Sequence, residues 1–167
     1  MNPRVTVLAT LHVVQGAEKR VGNVHDPMYV ALLKKLMISE GVDFIFEEAS
    51  GLGPTIAEKL ALDELPFGHY LDIDPARGDR QDFGIPANSS EPHMIGEPPT
   101  VAFANWQVLD VHSKREELWL ERMMQRQFQS ALVIVGLVHL LSFSFRLQTA
   151  NFFVQAINYA NWQRNPL

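Results

Sequence analysis

Two histidines each follow an apolar segment with the composition of a buried strand. His12 comes after Val5–Thr10, and His139 comes three residues after the glycine that ends Ala131–Gly136. The carboxyl ends of parallel strands meet at one edge of a sheet, so we expect both imidazoles to face a shared crevice. Imidazoles act there as metal ligands or as proton donors and acceptors near neutral pH. The two segments therefore predict a chemical site at this edge.

Carboxylates follow two further strand-like segments and are expected at the same edge. Glu47 and Glu48 follow one of them, and Asp72 and Asp74 follow the other. Neighbouring strand residues point to opposite faces, so only one of the two glutamates is expected to reach a ligand. Asp72 and Asp74 share a face and are predicted to act together.

Imidazoles and carboxylates together form the usual ligand set of zinc, manganese or iron. A metal ion held by such residues lowers the pKa of a bound water and generates a hydroxide nucleophile. A carboxylate that is not a ligand would then serve as the general base. The chain has no short-range pair of ligands such as His-x-x-x-His, so this prediction depends on the topology of the sheet.

Each of these groups also has a structural interpretation. Glu47 and Glu48 would suit the amino end of the following helix, where the helix dipole stabilises negative charge. Ser113 and Glu116 have the spacing of a capping box, which gives Glu116 a structural role at a helix start. The remaining histidines have no evident partner and are interpreted as structural: His25, His69, His93 and His112.

Strands and helices are predicted to alternate along the chain. Asp26 and Pro27 have the pattern of a helix start and Gly41 that of a helix end. The predicted strands are Val5–Thr10, Phe44–Phe46, Tyr70–Ile73 and Ala131–Val135; the predicted helices begin at about Asp26, Pro54, Ser113 and Val138; Phe152–Ile157 fits either type. This alternation predicts an α/β three-layer sandwich with a mainly parallel central sheet and its site at the strand carboxyl ends.

Length and composition favour one α/β domain over residues 1–167. Residues 75–100 form a Pro/Gly-rich loop that is expected to close over a substrate.

The net charge of -5 argues against nucleic acid as a partner. The apolar stretch 131–145 is shorter than a membrane span, so no membrane association is expected. The absence of cysteine and of a signal-peptide pattern fits a cytoplasmic location. The aromatic residues of the last third of the chain are compatible with a homo-oligomer.

Four short motifs, in order, resemble a known superfamily. This superfamily has two Gly-x-x-His motifs. They correspond here to Ala9-Thr-Leu-His12, with alanine in place of glycine, and to Gly136-Leu-Val-His139. Phe44-Ile-Phe-Glu-Glu48 is similar to its glutamate pair, and Arg115–Met123 resembles its arginine-containing helix. This superfamily groups TraB-like proteins, Tiki proteases, erythromycin esterases and ChaN-type haem-binding lipoproteins.

The resemblance implies roles for particular residues. His12, His139 and Glu48 would be metal ligands, and Glu47 or Glu48 would activate water. Arg80, Arg115 and Arg122 would hold a substrate carboxylate or phosphate, or polarise a carbonyl group.

Three functional hypotheses follow. The first is a hydrolase, dependent on a divalent metal (Zn, Mn or Fe), that acts on a small ester or peptide-like substrate. The second is a protein without catalysis that binds haem or an anionic metabolite in the same crevice. The third is an enzyme that needs no metal and uses histidine and glutamate as an acid–base pair.

Overall fold

A computed structural model describes residues 2–11, 14–16, 26–49, 54–65, 69–76, 79–85 and 106–164, the last with backbone alone at 106–110 and 162–164. Five strands form one sheet in which every neighbouring pair is parallel. They are β1 (Arg4–Thr10), β2 (Phe44–Glu47), β3 (Tyr70–Asp72), β4 (Ser130–Gly136) and β5 (Phe153–Asn158), in the spatial order β3-β2-β4-β1-β5. The α/β class and the parallel sheet predicted from the sequence are therefore confirmed.

The described residues also form five α-helices: α1 (Pro27–Ser39), α2 (Ile56–Glu64), α3 (Trp106–Met124), α4 (Leu140–Thr149) and α5 (Tyr159–Arg164). Short 3-10 helices cover Arg80–Phe83 and Leu137–His139. The ambiguous segment near the carboxyl end is a strand, β5, and not a helix. This segment forms a strand because it pairs with β1, a contact that its local sequence pattern does not reveal.

The start and end of α1 lie where the sequence predicts them. The Asp26 side chain accepts hydrogen bonds from the backbone N–H groups of Met28 and Tyr29, at 3.0 and 3.3 Å. Pro27 occupies the first helical position, where its missing N–H costs nothing. Gly41 follows the helix with a φ of 57°, a conformation that glycine adopts without steric penalty.

The prediction that α3 begins at Ser113 is wrong. The helix starts seven residues earlier, at Trp106, because residues 106–112 contain no glycine or proline to interrupt it. Ser113 therefore has helical neighbours on both sides and does not cap a helix. A capping box is present instead at α2, where Thr55 and Glu58 each accept a hydrogen bond from the other's backbone N–H.

Alternate residues of the strands contribute to two separate hydrophobic clusters. Leu8 and Ile134 belong to the cluster that contains residues of α1 and α2. Val7 and Val133 belong to the cluster that contains residues of α3 and α4. Because side chains alternate between the faces of a strand, helices cover both faces, an arrangement consistent with a three-layer sandwich.

Several sequence predictions fall on residues outside the described ranges. They include the position of His12 and most of the 75–100 loop, of which residues 75, 76 and 79–85 are described. Within the described part of the chain, no helix has the length and apolar composition needed to cross a membrane.

Candidate functional site

Glu48 lies just beyond the carboxyl end of β2, beside the end of β4. Its backbone N–H donates to the carbonyl oxygen of Ile134 at 2.8 Å and so extends the ladder between the two strands. The Oε2 atom accepts the N–H of Gly136 at 2.7 Å, and Oε1 accepts a hydrogen bond from Nη2 of Arg115. The side chain is buried, so both of its oxygens have protein donors in place of water.

Asp74 is the second buried carboxylate of this group. Its Oδ1 atom accepts hydrogen bonds from Nε of Arg115 at 2.8 Å and from the indole nitrogen of Trp119 at 2.9 Å. Its Oδ2 atom accepts from Nη2 of Arg80 at 2.9 Å. Arg115 therefore bridges Glu48 and Asp74, and two guanidinium groups balance the charge of the two carboxylates.

His139 lies next to these ion pairs and is 1% exposed. Its Nδ1 atom is 2.8 Å from Oε1 of Glu116, which also accepts a hydrogen bond from the Ser142 hydroxyl at 2.6 Å. Its Nε2 atom is 3.8 Å from Oε1 of Glu48. An ionised carboxylate can only accept, so the Glu116 contact favours the tautomer in which Nδ1 carries the proton and Nε2 keeps its lone pair.

Two aromatic side chains of α3 surround the His139 ring. The ring centroid of Trp119 is 4.7 Å away in an edge-on arrangement, and that of His112 is 4.6 Å away. Burial, together with the neighbouring His139 and Arg115, lowers the pKa of His112 to about 4. His112 is therefore neutral at pH 7 and adds no positive charge beside His139.

Sequence reasoning singled out Arg115 on α3 but missed two other residues of this helix at the site. It interpreted His112 as structural and gave Glu116 an alternative role as a capping residue, whereas both contact His139. The available signal was the helical spacing: His112, Arg115, Glu116 and Trp119 recur at i, i+3, i+4 and i+7, which places them on one face of a helix.

The three arginines expected to bind a substrate have partners within the protein. Arg80 and Arg115 are buried and pair with Asp74, as described above. Arg122 is half-buried and donates to the carbonyl oxygen of Ile73 at 2.9 Å, with its guanidinium 5.1 Å from the ring centre of Phe83. Arg122 thus holds the segment that follows β3 and makes no hydrogen bond to the Glu48 and His139 group.

Glu47 and Glu48 contact different sets of residues. Oε2 of Glu47 accepts hydrogen bonds from the hydroxyls of Thr55 at 2.5 Å and Tyr70 at 2.9 Å, and Oε1 accepts from the Gln15 amide at 3.1 Å. Burial raises the pKa of Glu47 to about 7, although these hydrogen bonds act in the opposite direction. The structure thus places Glu48 beside His139 and Glu47 in a separate buried cluster.

The side chains of Asp72 and Asp74 also contact different groups. One oxygen of Asp72 accepts the backbone N–H groups of Ala49 and Asp74, each at 3.1 Å. These bonds shape the turns after β2 and β3, whereas Asp74 binds the arginines. The joint action expected of the two aspartates stays a prediction.

The predicted metal ligands do not form a complete set in the described part of the chain. His12 lies outside the described residues, and the remainder provides no group of three histidine or carboxylate side chains that could hold a metal ion. Glu48 already accepts hydrogen bonds at both oxygens, one of them from the cation Arg115. The described donors thus do not fit a metal centre at Glu48.

Comparisons with known proteins give no relative for this chain: no family model, no curated protein and no solved structure matches it.

Proposed function

We propose that this protein is a hydrolase of a small ester or peptide-like substrate, with His139 as its acid–base residue. The observation that carries the proposal is the 2.8 Å contact between Nδ1 of His139 and the Glu116 carboxylate. A carboxylate in this position holds the ring in one orientation and one tautomer, as the orienting group of a catalytic histidine does. The Ser142 hydroxyl and α3 in turn fix the carboxylate.

The proposed reaction needs only groups that the chain supplies. Nε2 of His139 removes a proton from a water molecule while the water oxygen attacks the carbonyl carbon of the substrate. The imidazolium that forms is stabilised by Glu116, and it then gives the proton to the leaving oxygen or nitrogen as the bond to the carbonyl carbon breaks. The products are a carboxylic acid and an alcohol or amine.

The charges around His139 support this role. Glu48 is 3.8 Å from Nε2, so a water molecule within hydrogen-bond reach of both groups would be oriented for deprotonation. Arg115 balances the charge of Glu48, so this carboxylate can orient the water without adding a net negative charge beside the reacting carbonyl group.

The metal-dependent version of the hydrolase requires His12 as a further ligand. The contacts of Glu48 with Arg115 and Gly136 favour the acid–base mechanism without a metal, so no step above depends on one. Elemental analysis of the purified protein and assays after dialysis against a chelator distinguish the two versions. Retained activity supports the acid–base mechanism, whereas loss and recovery with added metal supports the metal-dependent one.

Binding of an anionic metabolite without catalysis has less support than hydrolysis, whereas the contacts of His139 do not separate hydrolysis from haem binding. The Glu116 contact leaves Nε2 with its lone pair, which can serve a base or a ligand of haem iron. The charges of Arg80 and Arg115 are already balanced by carboxylates. An absorbance titration with haem tests this alternative directly, because a strong Soret shift would favour it over the hydrolase.

The hydrolase is tested with a panel of chromogenic esters, peptides and phosphoesters. His139→Gln is expected to lower the rate on the preferred substrate by roughly 100-fold or more, the usual contribution of a general base. Glu116→Gln should act in the same direction, because the neutral amide no longer selects the tautomer.

His69→Gln is the matched control. His69 precedes β3, at the opposite end of the sheet, and its ring bonds to the backbone carbonyl of Asp43 at 3.0 Å. The control variant should keep its activity. Equal rates in all four proteins, or no hydrolysis of any substrate by the unaltered protein, would contradict the proposal.

A further inference from the structure

Among the described residues, no strand pairs with the long outer edge of β5. The strand pairs with β1 on one side, and Phe153 donates its N–H to the carbonyl oxygen of Pro3 at 3.0 Å. In a parallel ladder alternate residues bond to the same neighbour, so Phe153, Gln155 and Ile157 face β1. The backbone groups of Val154 and Ala156 and the N–H of Asn158 face outward, and no strand of the described chain pairs with them.

The edge lacks the features that usually prevent pairing with another chain. Natural edge strands carry charged side chains, proline or bulges, or they are very short. The six residues Phe153–Asn158 include no charged residue and no proline. The opposite edge, β3, has only three residues and ends in Asp72, so it is protected in the usual way.

The region around β5 is also depleted of charge and exposes large apolar side chains. Of the chain's 14 Lys+Arg and 19 Asp+Glu residues, Arg146 is the only one between positions 131 and 163. Arg146 turns toward α3, where it donates to Ser113 at 3.1 Å and to Glu117 at 3.4 Å. Leu141 and Phe145 on α4 and Phe153 on β5 are 81%, 70% and 68% exposed.

We propose that β5 pairs with β5 of a second copy of this chain in antiparallel orientation, around a two-fold axis at Ala156. A strand edge is self-complementary under a two-fold axis, because each outward N–H meets an outward C=O. The reciprocal pair at Ala156 provides two hydrogen bonds. Two more join the N–H of Asn158 to the carbonyl oxygen of Val154 of the partner subunit, and the result is one continuous ten-stranded sheet.

The charge distribution fits contact between two copies at this edge. The chain has a net charge of -5, so two copies repel each other over most of their surface. The segment 131–163 brings no acidic residue to the contact, and it offers neither an acidic nor a basic partner an opposite charge. Depletion of charged residues is a feature of the core of protein interfaces.

The mass of the full chain in solution, measured by light scattering or sedimentation, tests the proposal. The unaltered protein should have the mass of two chains, and Ala156→Lys should have the mass of one, because two lysines would face each other at the axis. Leu62→Lys is the matched control, since it adds the same charge at an exposed leucine of α2 and should remain a dimer. A monomeric unaltered protein, or a dimer that Ala156→Lys leaves intact, would overturn the proposal.

A cysteine variant keeps the test decisive if the lysine variant fails to fold. The chain contains no cysteine, so a single introduced thiol reports on one position. Residues directly opposite in a hydrogen-bonded antiparallel pair have Cα atoms about 5.5 Å apart, within the range of a disulfide. Ala156→Cys should form a disulfide-linked dimer on mild oxidation, whereas Leu62→Cys should not. Equal linkage of the two variants would overturn the pairing at β5.

Discussion

At the scale of single residues, two adjacent glutamates have opposite electrostatic environments. Glu48 pairs with Arg115 and lies beside His139, so its negative charge is compensated. Glu47 receives hydrogen bonds from neutral groups only, and burial raises its pKa to about 7. The alternation of side chains along a strand is enough to separate the two environments.

Glu47 should make the stability of the protein fall as the pH rises from 4.5 to 7. Its pKa is about 7 in the folded state and 4.5 in the unfolded chain, so folding favours the protonated form. The contribution to stability is complete below pH 4.5 and is lost as the pH rises through 7, and it amounts to roughly 3 kcal/mol. Urea unfolding of the unaltered protein and of Glu47→Gln at a series of pH values measures it.

The difference between these two proteins isolates Glu47, because other titrating groups such as His112 are common to both. The glutamine variant should gain relative stability toward pH 7 and lose it toward pH 4.5. A difference that stays constant over this range would show that Glu47 is not held in its protonated form.

Asp74 should be essential for stability, because it compensates two buried arginines. Asp74→Asn keeps the size of the side chain but removes the negative charge that Arg80 and Arg115 both contact. Breaking a buried ion pair in this way costs about 3–5 kcal/mol. The free energy of unfolding in urea measures the loss.

An exposed ion pair provides the control for Asp74. Lys34 and Glu64 are 3.1 Å apart with both side chains half exposed, and Glu64→Gln should change the free energy of unfolding by less than about 1 kcal/mol. Similar losses in the two variants would mean that the buried network around Asp74 is not a principal source of stability.

The sequence predicts part of the candidate site at this scale. The position of an imidazole or carboxylate just after an apolar strand points to Glu48, Asp74 and His139. It does not point to His112, which precedes the predicted start of the helix, or to Glu116, which the same prediction places in a capping box.

At the scale of elements, local hydrogen-bonding rules predict the helix ends when a turn-forming residue is present. Asp26, Pro27 and Gly41 determine α1, and their structure follows the prediction. Ser113 has the spacing of a capping box but follows helix-compatible residues, so the helix continues past it. The Thr55 and Glu58 pair forms a true box because Pro54 precedes it.

Asp26 should stabilise the protein through both α1 and α5. Besides capping α1, its Oδ2 atom accepts the hydroxyl of Tyr159 at 2.7 Å, which ties the start of α5 to the start of α1. Asp26→Ala removes a cap and a hydrogen bond and should lower the free energy of unfolding by about 2 kcal/mol. Thermal or urea unfolding monitored by circular dichroism measures it.

Asp26→Asn separates the cap from the charge. The amide oxygen still accepts the backbone N–H groups of α1, and asparagine caps a helix as well as aspartate does. The asparagine variant should therefore recover most of the stability lost with alanine. Equal losses in the two variants would assign the effect to charge and not to capping.

At the scale of the whole molecule, the strand order decides which residues meet. β2 lies next to β4 although 82 residues separate Glu47 from Ser130 in the chain, and this places Glu48 beside Gly136. Alternating strands and helices predict a parallel sheet but not the order of its strands, because that order depends on long-range packing. The candidate site is therefore a product of topology that no single motif encodes.

The same topology leaves β5 at an edge, with the charge-free segment around it. Chemistry and assembly are thus assigned to different parts of the sheet: the carboxyl ends of β2 and β4 for the candidate site, and the long edge of β5 for the second copy. Variants at position 156 should therefore change the mass in solution without altering the contacts of His139.

The tautomer of His139 tests the central claim of this account most directly. Long-range proton–nitrogen NMR spectra distinguish a protonated Nδ1 from a protonated Nε2 in a neutral imidazole. The 2.8 Å contact with Glu116 predicts a proton on Nδ1 and a lone pair on Nε2, and it predicts that Glu116→Gln loses this preference. A neutral His139 that carries its proton on Nε2 in the unaltered protein would contradict its role as the base.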